Sequence, residues 1–191
     1  MARRKTNLDV GDTESITDRI AAKAQLYEQA AQEYGAALGR LARAYEADPE
    51  KRRDLLQELH LALWRSFDGF DGRCSLRTWI YRVAHNTATS YVLRQRRNRE
   101  AMVSLEELES MPDSRDAESG VQHQHALERL AGLIRQLGPV DRQVIVSYLE
   151  GMDAAATAEL TGLSARNVAT KIHRVKNILA RQFQGGERHG E

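Results

Sequence analysis

Apolar residues in this chain recur every three or four positions and almost nowhere every second one, the period of helices packed along one face. Residues 1–20 are polar and aperiodic and read as a flexible tail. A helix rich in Ala, Gln and Glu is expected from about Thr17 to Tyr45. Asp48-Pro49 ends it, because a residue before proline is pushed out of the helical region, and Pro49 suits the start of the next helix. There Leu56, Leu59, Leu63 and Phe67 define an apolar face. After the loop FDGFDGR, Ser75 is placed to cap a long helix reaching Leu93, with Leu76, Ile80, Val83, Thr87 and Tyr91 as its stripe and Trp79 and Ala84 beside it. The stretch 104–120, SLEELESMPDSRDAESG, is acidic and lacks a sustained apolar period, so it reads as a linker. Beyond it Leu127, Leu130, Ile134 and Leu137 mark another amphipathic helix, stopped by Gly138-Pro139. Asp141 is placed to cap the next, with Val144, Ile145, Tyr148 and Leu149 apolar. A short helix from Asp153 to Thr161, a turn at Gly162 and a last helix from Ser164 to about Phe183 complete the pattern.

The expected fold is therefore all-α, with two small helical domains, 21–100 and 121–184, joined by the linker 101–120 and followed by a polar tail, 185–191. Composition agrees: 41% of residues are hydrophobic, 6% aromatic, and only 3 are proline. No stretch approaches the roughly 20 apolar residues of a membrane span. The basic start has no apolar segment behind it and does not read as a secretory signal. The single cysteine, Cys74, allows no internal disulfide, which fits a reducing cytoplasm.

The net charge of +1 conceals strong segregation. Between Ser164 and Arg181 no acidic residue occurs. Val168, Ile172, Val175 and Leu179 line one side of that helix, and Arg166, Thr170, His173 and Asn177 the other. Asn167 and Arg174 flank that polar side, and Lys171 lies nearer the apolar edge. With a short helix and a Gly turn before it, this is helix-turn-helix grammar. A major groove requires packing behind the helix and donors and cations in front. A second acid-free stretch, Arg77 to Arg99, interleaves Trp79 and Tyr81 with arginines and ends in Arg94, Arg96, Arg97 and Arg99. Rings among cations suit single-stranded or distorted nucleic acid, where unstacked bases rest on aromatics and Arg holds phosphates. Asp54, Gln57, Glu58, Leu61 and Trp64 form a third surface; an exposed Trp beside carboxylates suggests a protein partner, whereas composition alone favours a plain core helix.

The segment DLLQELHLALWRSFDGFDGRCSLRTWIYRVAHNTATSYVLRQRR resembles region 2 of the extracytoplasmic-function sigma factors. LGPVDRQVIVSYLEGMDAAATAELTGLSARNVATKIHRVKNILAR resembles their region 4. The resemblance implies a subunit that gives core RNA polymerase its promoter recognition and catalyses nothing itself, with no cofactor. It places Asp54, Gln57, Glu58 and Trp64 on the polymerase clamp. The loop Phe67–Ser75 falls where a flipped base of the minus-ten element is captured. Arg77, Trp79, Arg82 and Asn86 fall on the face holding the melted non-template strand, with Arg94, Arg96 and Arg97 on its backbone. Arg166, Asn167, Thr170, Lys171 and Arg174 fall on the major groove of the minus-thirty-five element. Core polymerase and promoter DNA, duplex and melted, are the implied partners, and the family often adds an anti-sigma factor. The chain departs from the family pattern at His60, Ser90, Asn167 and the run Ala154-Ala155-Ala156-Thr157.

The rival reading is a stand-alone helix-turn-helix regulator of a duplex operator, which leaves the Trp-bearing basic helix unexplained. An enzyme is disfavoured by the lack of a Gly-rich phosphate loop, an HExxH motif or a cysteine pair. His123 and His125 lack carboxylate or Cys neighbours that would complete a zinc site.

Overall fold

A computed structural model describes residues 10–95 and 122–184. Among the described residues seven α-helices form: α1 (Val10–Tyr45), α2 (Pro49–Ser66), α3 (Leu76–Gln95), α4 (Gln122–Gln136), α5 (Pro139–Leu149), α6 (Ala154–Thr161) and α7 (Ala165–Gln184). One 3₁₀ turn, Phe67–Gly69, follows α2. Among the described residues no strand forms, and no helix is long and apolar enough to cross a membrane. The linker 101–120 and the tail 185–191 lie outside the described residues.

The first domain packs α1, α2 and α3 around Leu38, Leu41, Leu55, Leu59, Leu63, Ile80, Ala84 and Ala88. α1 begins at Val10, inside the stretch whose pattern reads as a tail. Once a helix is nucleated each added residue costs little, so polar sequence extends it. Asp48 does more than end α1: its carboxylate accepts from the backbone N–H of Glu50 and Lys51 and caps α2, with Pro49 at the first helical position. Ser75 caps α3 as expected, its Oγ accepting from Thr78 N at 3.0 Å.

The buried face of α3 differs from the expected stripe. Tyr81 and His85 are buried alongside Ile80, Ala84, Ala88 and Tyr91, whereas Val83 and Thr87 are half-buried. Apolarity ranks Tyr and His below Val, but the Tyr81 ring meets Tyr34 of α1 and His85 shares a hydrogen bond with the Tyr45 hydroxyl of the same helix.

In the second domain, Ile134, Leu137, Val144, Ile145, Leu160, Val168, Val175 and Ile178 are buried. Leu127 and Leu149, expected in its core, are exposed at 47% and 42%. Asp141 does not cap α5: Gly138 occupies the cap without a side-chain bond, and Asp141 instead pairs with Lys171 of α7 at 2.5 Å. Asp153 caps α6 through Ala156 N at 2.7 Å, and Gly162 ends it with φ 73°, a left-handed conformation that costs glycine least. Ser164 then caps α7 through Asn167 N. The Ala-rich run of α6 forms a regular helix, seated by buried Thr157 and Leu160.

The two domains also touch. α3 packs on α5 and α6, and α1 packs on α4. Arg142 of α5 is buried and donates to the carbonyls of Ile134, Arg135 and Leu137, closing the C-terminal end of α4. Its guanidinium also lies 4.9 Å from the Tyr45 ring centroid across the domain boundary.

Candidate nucleic-acid and polymerase interfaces

The polar side of α7 is open. Arg166, Asn167, Thr170, His173, Lys176 and Asn177 are exposed, and Arg174 is half-buried. Val168, Val175 and Ile178 hold the opposite side against the domain. This helix carries no carboxylate of its own, so its polar side presents positive charge, the electrostatic footprint of a phosphate-contacting element. Thr170 Oγ1 donates to Arg166 O at 3.0 Å, which leaves its lone pairs available outward. Lys171 is set apart from this group: it is half-buried and its ammonium is bound to Asp141.

On α3 the expected strand-holding residues sit in three environments. Asn86 is exposed. Trp79 is half-buried; its indole N–H donates to Ser66 Oγ at 3.0 Å and its ring packs against Phe70, with centroids 5.4 Å apart. Its role is thus to seat the loop, whose buried Phe67 in turn meets Phe70. Gly72, at φ 74°, turns that loop. Lys23 of α1 pairs with Asp68 at 2.5 Å, and Asp71 accepts from Arg73 N and Nε. Cys74 is a half-buried free thiol in the same loop.

Arg77 and Arg82 point at the second domain. Arg77 donates to the backbone carbonyl of Glu150, and Arg82 lies 3.3 Å from Glu159 O and 3.4 Å from its carboxylate. The Glu150 carboxylate, 10% exposed, receives two hydrogen bonds from Arg40, 2.7 and 2.6 Å, and one from the Tyr81 hydroxyl, 3.2 Å. The hydrogen bonds it donates to Glu150 hold the Arg40 guanidinium pKa above its ordinary value. Burial, reinforced by the Glu150 charge, raises that of Tyr81. Sequence reading did not single out Arg40, Glu150 or Glu159, because a lone carboxylate at a helix end carries no signal of a partner 110 residues away.

The third surface is more covered than the sequence suggests. Asp54 and Gln57 are exposed, but Trp64 is half-buried. The Tyr27 ring meets it edge-on at 5.6 Å, and Lys23 Nζ sits 4.8 Å from its centroid. A wheel of α2 alone places Trp64 outward; the long N-terminal half of α1 crosses that side. Glu58 pairs with Arg94, which joins the expected polymerase surface to the end of the basic helix. Arg96 and Arg97 lie outside the described residues, as do the side chains of His123 and His125. Among the described residues no group of His, Cys, Asp and Glu could hold a metal ion.

Comparison with known proteins accounts for both halves. Residues 30–98 match the model of sigma-70 region 2, and residues 127–179 match that of sigma-70 region 4. The chain is 26% identical over 142 residues to the ECF RNA polymerase sigma factor SigX of Bacillus subtilis, covering 72% of this chain and 73% of that one. It is 32% identical over 152 residues to the RNA polymerase sigma-E factor of Streptomyces avermitilis, covering 78% and 79%. Its fold resembles that of the sigma factor RpoE in complex with the anti-sigma factor NepR from Bartonella quintana, with a TM-score of 0.59 and 16% identity over 84% of this chain and 98% of that one. Two sigma regions in the family's order, each a helical domain with its own acid-free helix, make this chain a member of the extracytoplasmic-function RNA polymerase sigma factors, acting in transcription initiation.

Proposed function

We propose that this chain docks on core RNA polymerase through α2 and directs it to promoters read at two separated elements. The observation that carries the reading is the exposed, acid-free face of α7 behind a left-handed turn at Gly162. Arg166, Asn167, Thr170 and Arg174 read base edges and phosphates of the upstream duplex, and Lys171 supports the helix from its bond to Asp141. Arg77, Arg82 and Asn86 hold the melted non-template strand, with Arg94, Arg96 and Arg97 continuing along its backbone. The Trp79–Phe70 stack supports the loop that captures a flipped base. Asp54, Gln57 and Glu58 make the polymerase contact, with Trp64 forming its floor.

Neither basic face alone is large enough for tight binding in a chain of net charge +1. Docking on polymerase fixes both at the promoter's spacing and raises the local concentration of each. Unstacking bases costs on the order of a few kcal/mol, which capture in the loop and polymerase contacts offset. The protein works in the cytoplasm on this reading. An anti-sigma factor, of the kind seen with the Bartonella quintana protein, is a further partner.

Run-off transcription tests this. Purified chain is added to core bacterial polymerase on a genomic template, and discrete start sites are expected only in its presence. The chain alone is expected to bind duplex DNA weakly. Absence of both transcript and polymerase complex, with tight duplex binding by the chain alone, would favour a stand-alone regulator.

A further inference from the structure

The loop from Phe67 to Ser75 is held from two sides. Toward α3 its rings are stacked: Phe67 meets Phe70, and Phe70 meets Trp79, whose indole N–H is bound to Ser66. Toward α1 it is held by charge. Lys23 Nζ lies 2.5 Å from a carboxylate oxygen of Asp68, in the 3₁₀ turn that opens the loop, and 4.8 Å from the centroid of the Trp64 ring. The Lys23 side chain is 15% exposed and that of Asp68 62%, so the cation is fixed by its surroundings and the aspartate is the partner it restrains. One turn further along α1, Tyr27 meets Trp64 edge-on and shares a 3.1 Å hydrogen bond with His60, where the chain departs from the family pattern. Lys23 and Tyr27 both precede residues 30–98, so this attachment lies outside the span that matches sigma-70 region 2.

We propose that Lys23 is a positioning residue for base capture: seated on Trp64, it holds Asp68, and through Asp68 the opening turn of the loop, in the shape that receives the flipped base. This rests on the reading that the loop captures that base. Lys23 acts through Asp68 rather than on the DNA. Because the tie to α1 exists before DNA arrives, less ordering of the loop remains to be done on binding. The N-terminal part of α1 thereby belongs to the machinery of strand recognition, although it lies outside the segment that matches the family.

The test uses holoenzyme, reconstituted from core bacterial polymerase and the full chain, on a promoter found by run-off transcription. The probe is a fork-junction DNA, duplex upstream and single-stranded in the non-template minus-ten element. It is compared with forks carrying an abasic nucleotide at each minus-ten position in turn, and the position with the largest loss for the unaltered chain is the captured base. Lys23→Gln removes the charge and keeps most of the stem. It is expected to weaken binding of the intact fork about fivefold, the size of a partly exposed ion pair and cation–π contact together. On the fork abasic at the captured position the two proteins bind equally, because the loop then has no base to hold and the two losses do not add. Affinity for core polymerase is the same for both proteins. Equal binding of the intact fork overturns the proposal. So does a defect that persists on the abasic fork, which is the result of altered charge or a damaged fold, or a parallel loss of core-polymerase affinity, which places Lys23 in docking. Start sites from the unaltered chain without any defect in Lys23→Gln sink the positioning role alone; no start sites at all sink the reading of the loop itself.

Discussion

His85 shows what a single side chain can hide from sequence. Nothing in its neighbourhood of arginines and alanines distinguishes it from a surface histidine of a basic helix. In the structure it is fully buried, shares a 2.9 Å hydrogen bond with the Tyr45 hydroxyl and lies near Arg142. Burial, and secondarily the Arg142 charge, push its pKa down to about 3. The unfolded chain, with imidazole near 6.5, therefore binds a proton that the folded chain refuses between these limits. Stability is complete above about pH 6.5 and is lost as pH falls, at about 1.4 kcal/mol per pH unit from this group alone. Half-buried His60 is shifted the same way by burial and adds a smaller part. Urea unfolding at pH 7, 6 and 5 measures the slope, and His85→Gln is expected to flatten it. An unchanged slope in that variant would place the proton elsewhere. The residues legible in sequence were those whose environment is local: the Ser75 cap and the outward cations of α7. Those misjudged, Trp64 as an exposed ring and Asp141 as a cap, owe their surroundings to a different helix.

Helices are where sequence spoke most clearly, since their ends are written in cap and turn chemistry. Asp48-Pro49, Ser75, Gly138-Pro139, Gly162 and Ser164 all lie at helix boundaries. The departures come from long-range packing: α2 also buries Leu55, and α4 leaves Leu127 in solvent. The Ala-rich helix α6 is instructive because its own packing surface is small. Its eight residues hold place through the Asp153 cap, the Gly162 stop and two buried side chains. Asp153→Ala is expected to cost about 1 kcal/mol. That lowers the melting temperature by roughly 2–4 °C for a chain of this size. Because α6 orients α7, the same variant is expected to weaken transcription from its promoters while leaving polymerase capture intact. Equal loss of both would mean that the cap serves the whole fold rather than the helix-turn-helix.

At the scale of the molecule, the pattern of the chain divides it in two at an acidic linker, and nothing in that pattern predicts that the halves pack together. The joining contacts are made by Arg–Glu pairs and a Tyr–Arg contact. Each is an ordinary residue at an ordinary spacing, so only the folded backbone brings them within reach. Their consequence is physical coupling: Tyr45, Tyr81 and Tyr91 of the first domain and Ile134, Ile145 and Met152 of the second belong to one buried cluster. A domain as small as the second buries too little surface to be robust alone, so leaning on the first should make the two unfold together. Both tryptophans, Trp64 and Trp79, lie in the first domain, whereas helical circular dichroism reports on both. Heating the free chain is therefore expected to give coincident fluorescence and dichroism transitions, the mark of one cooperative unit. Glu150→Ala/Glu159→Ala is expected to split them, dichroism falling first as the second domain melts ahead of the tryptophans. Separate transitions already in the unaltered chain would mean that the domain contact carries too little free energy to couple the halves.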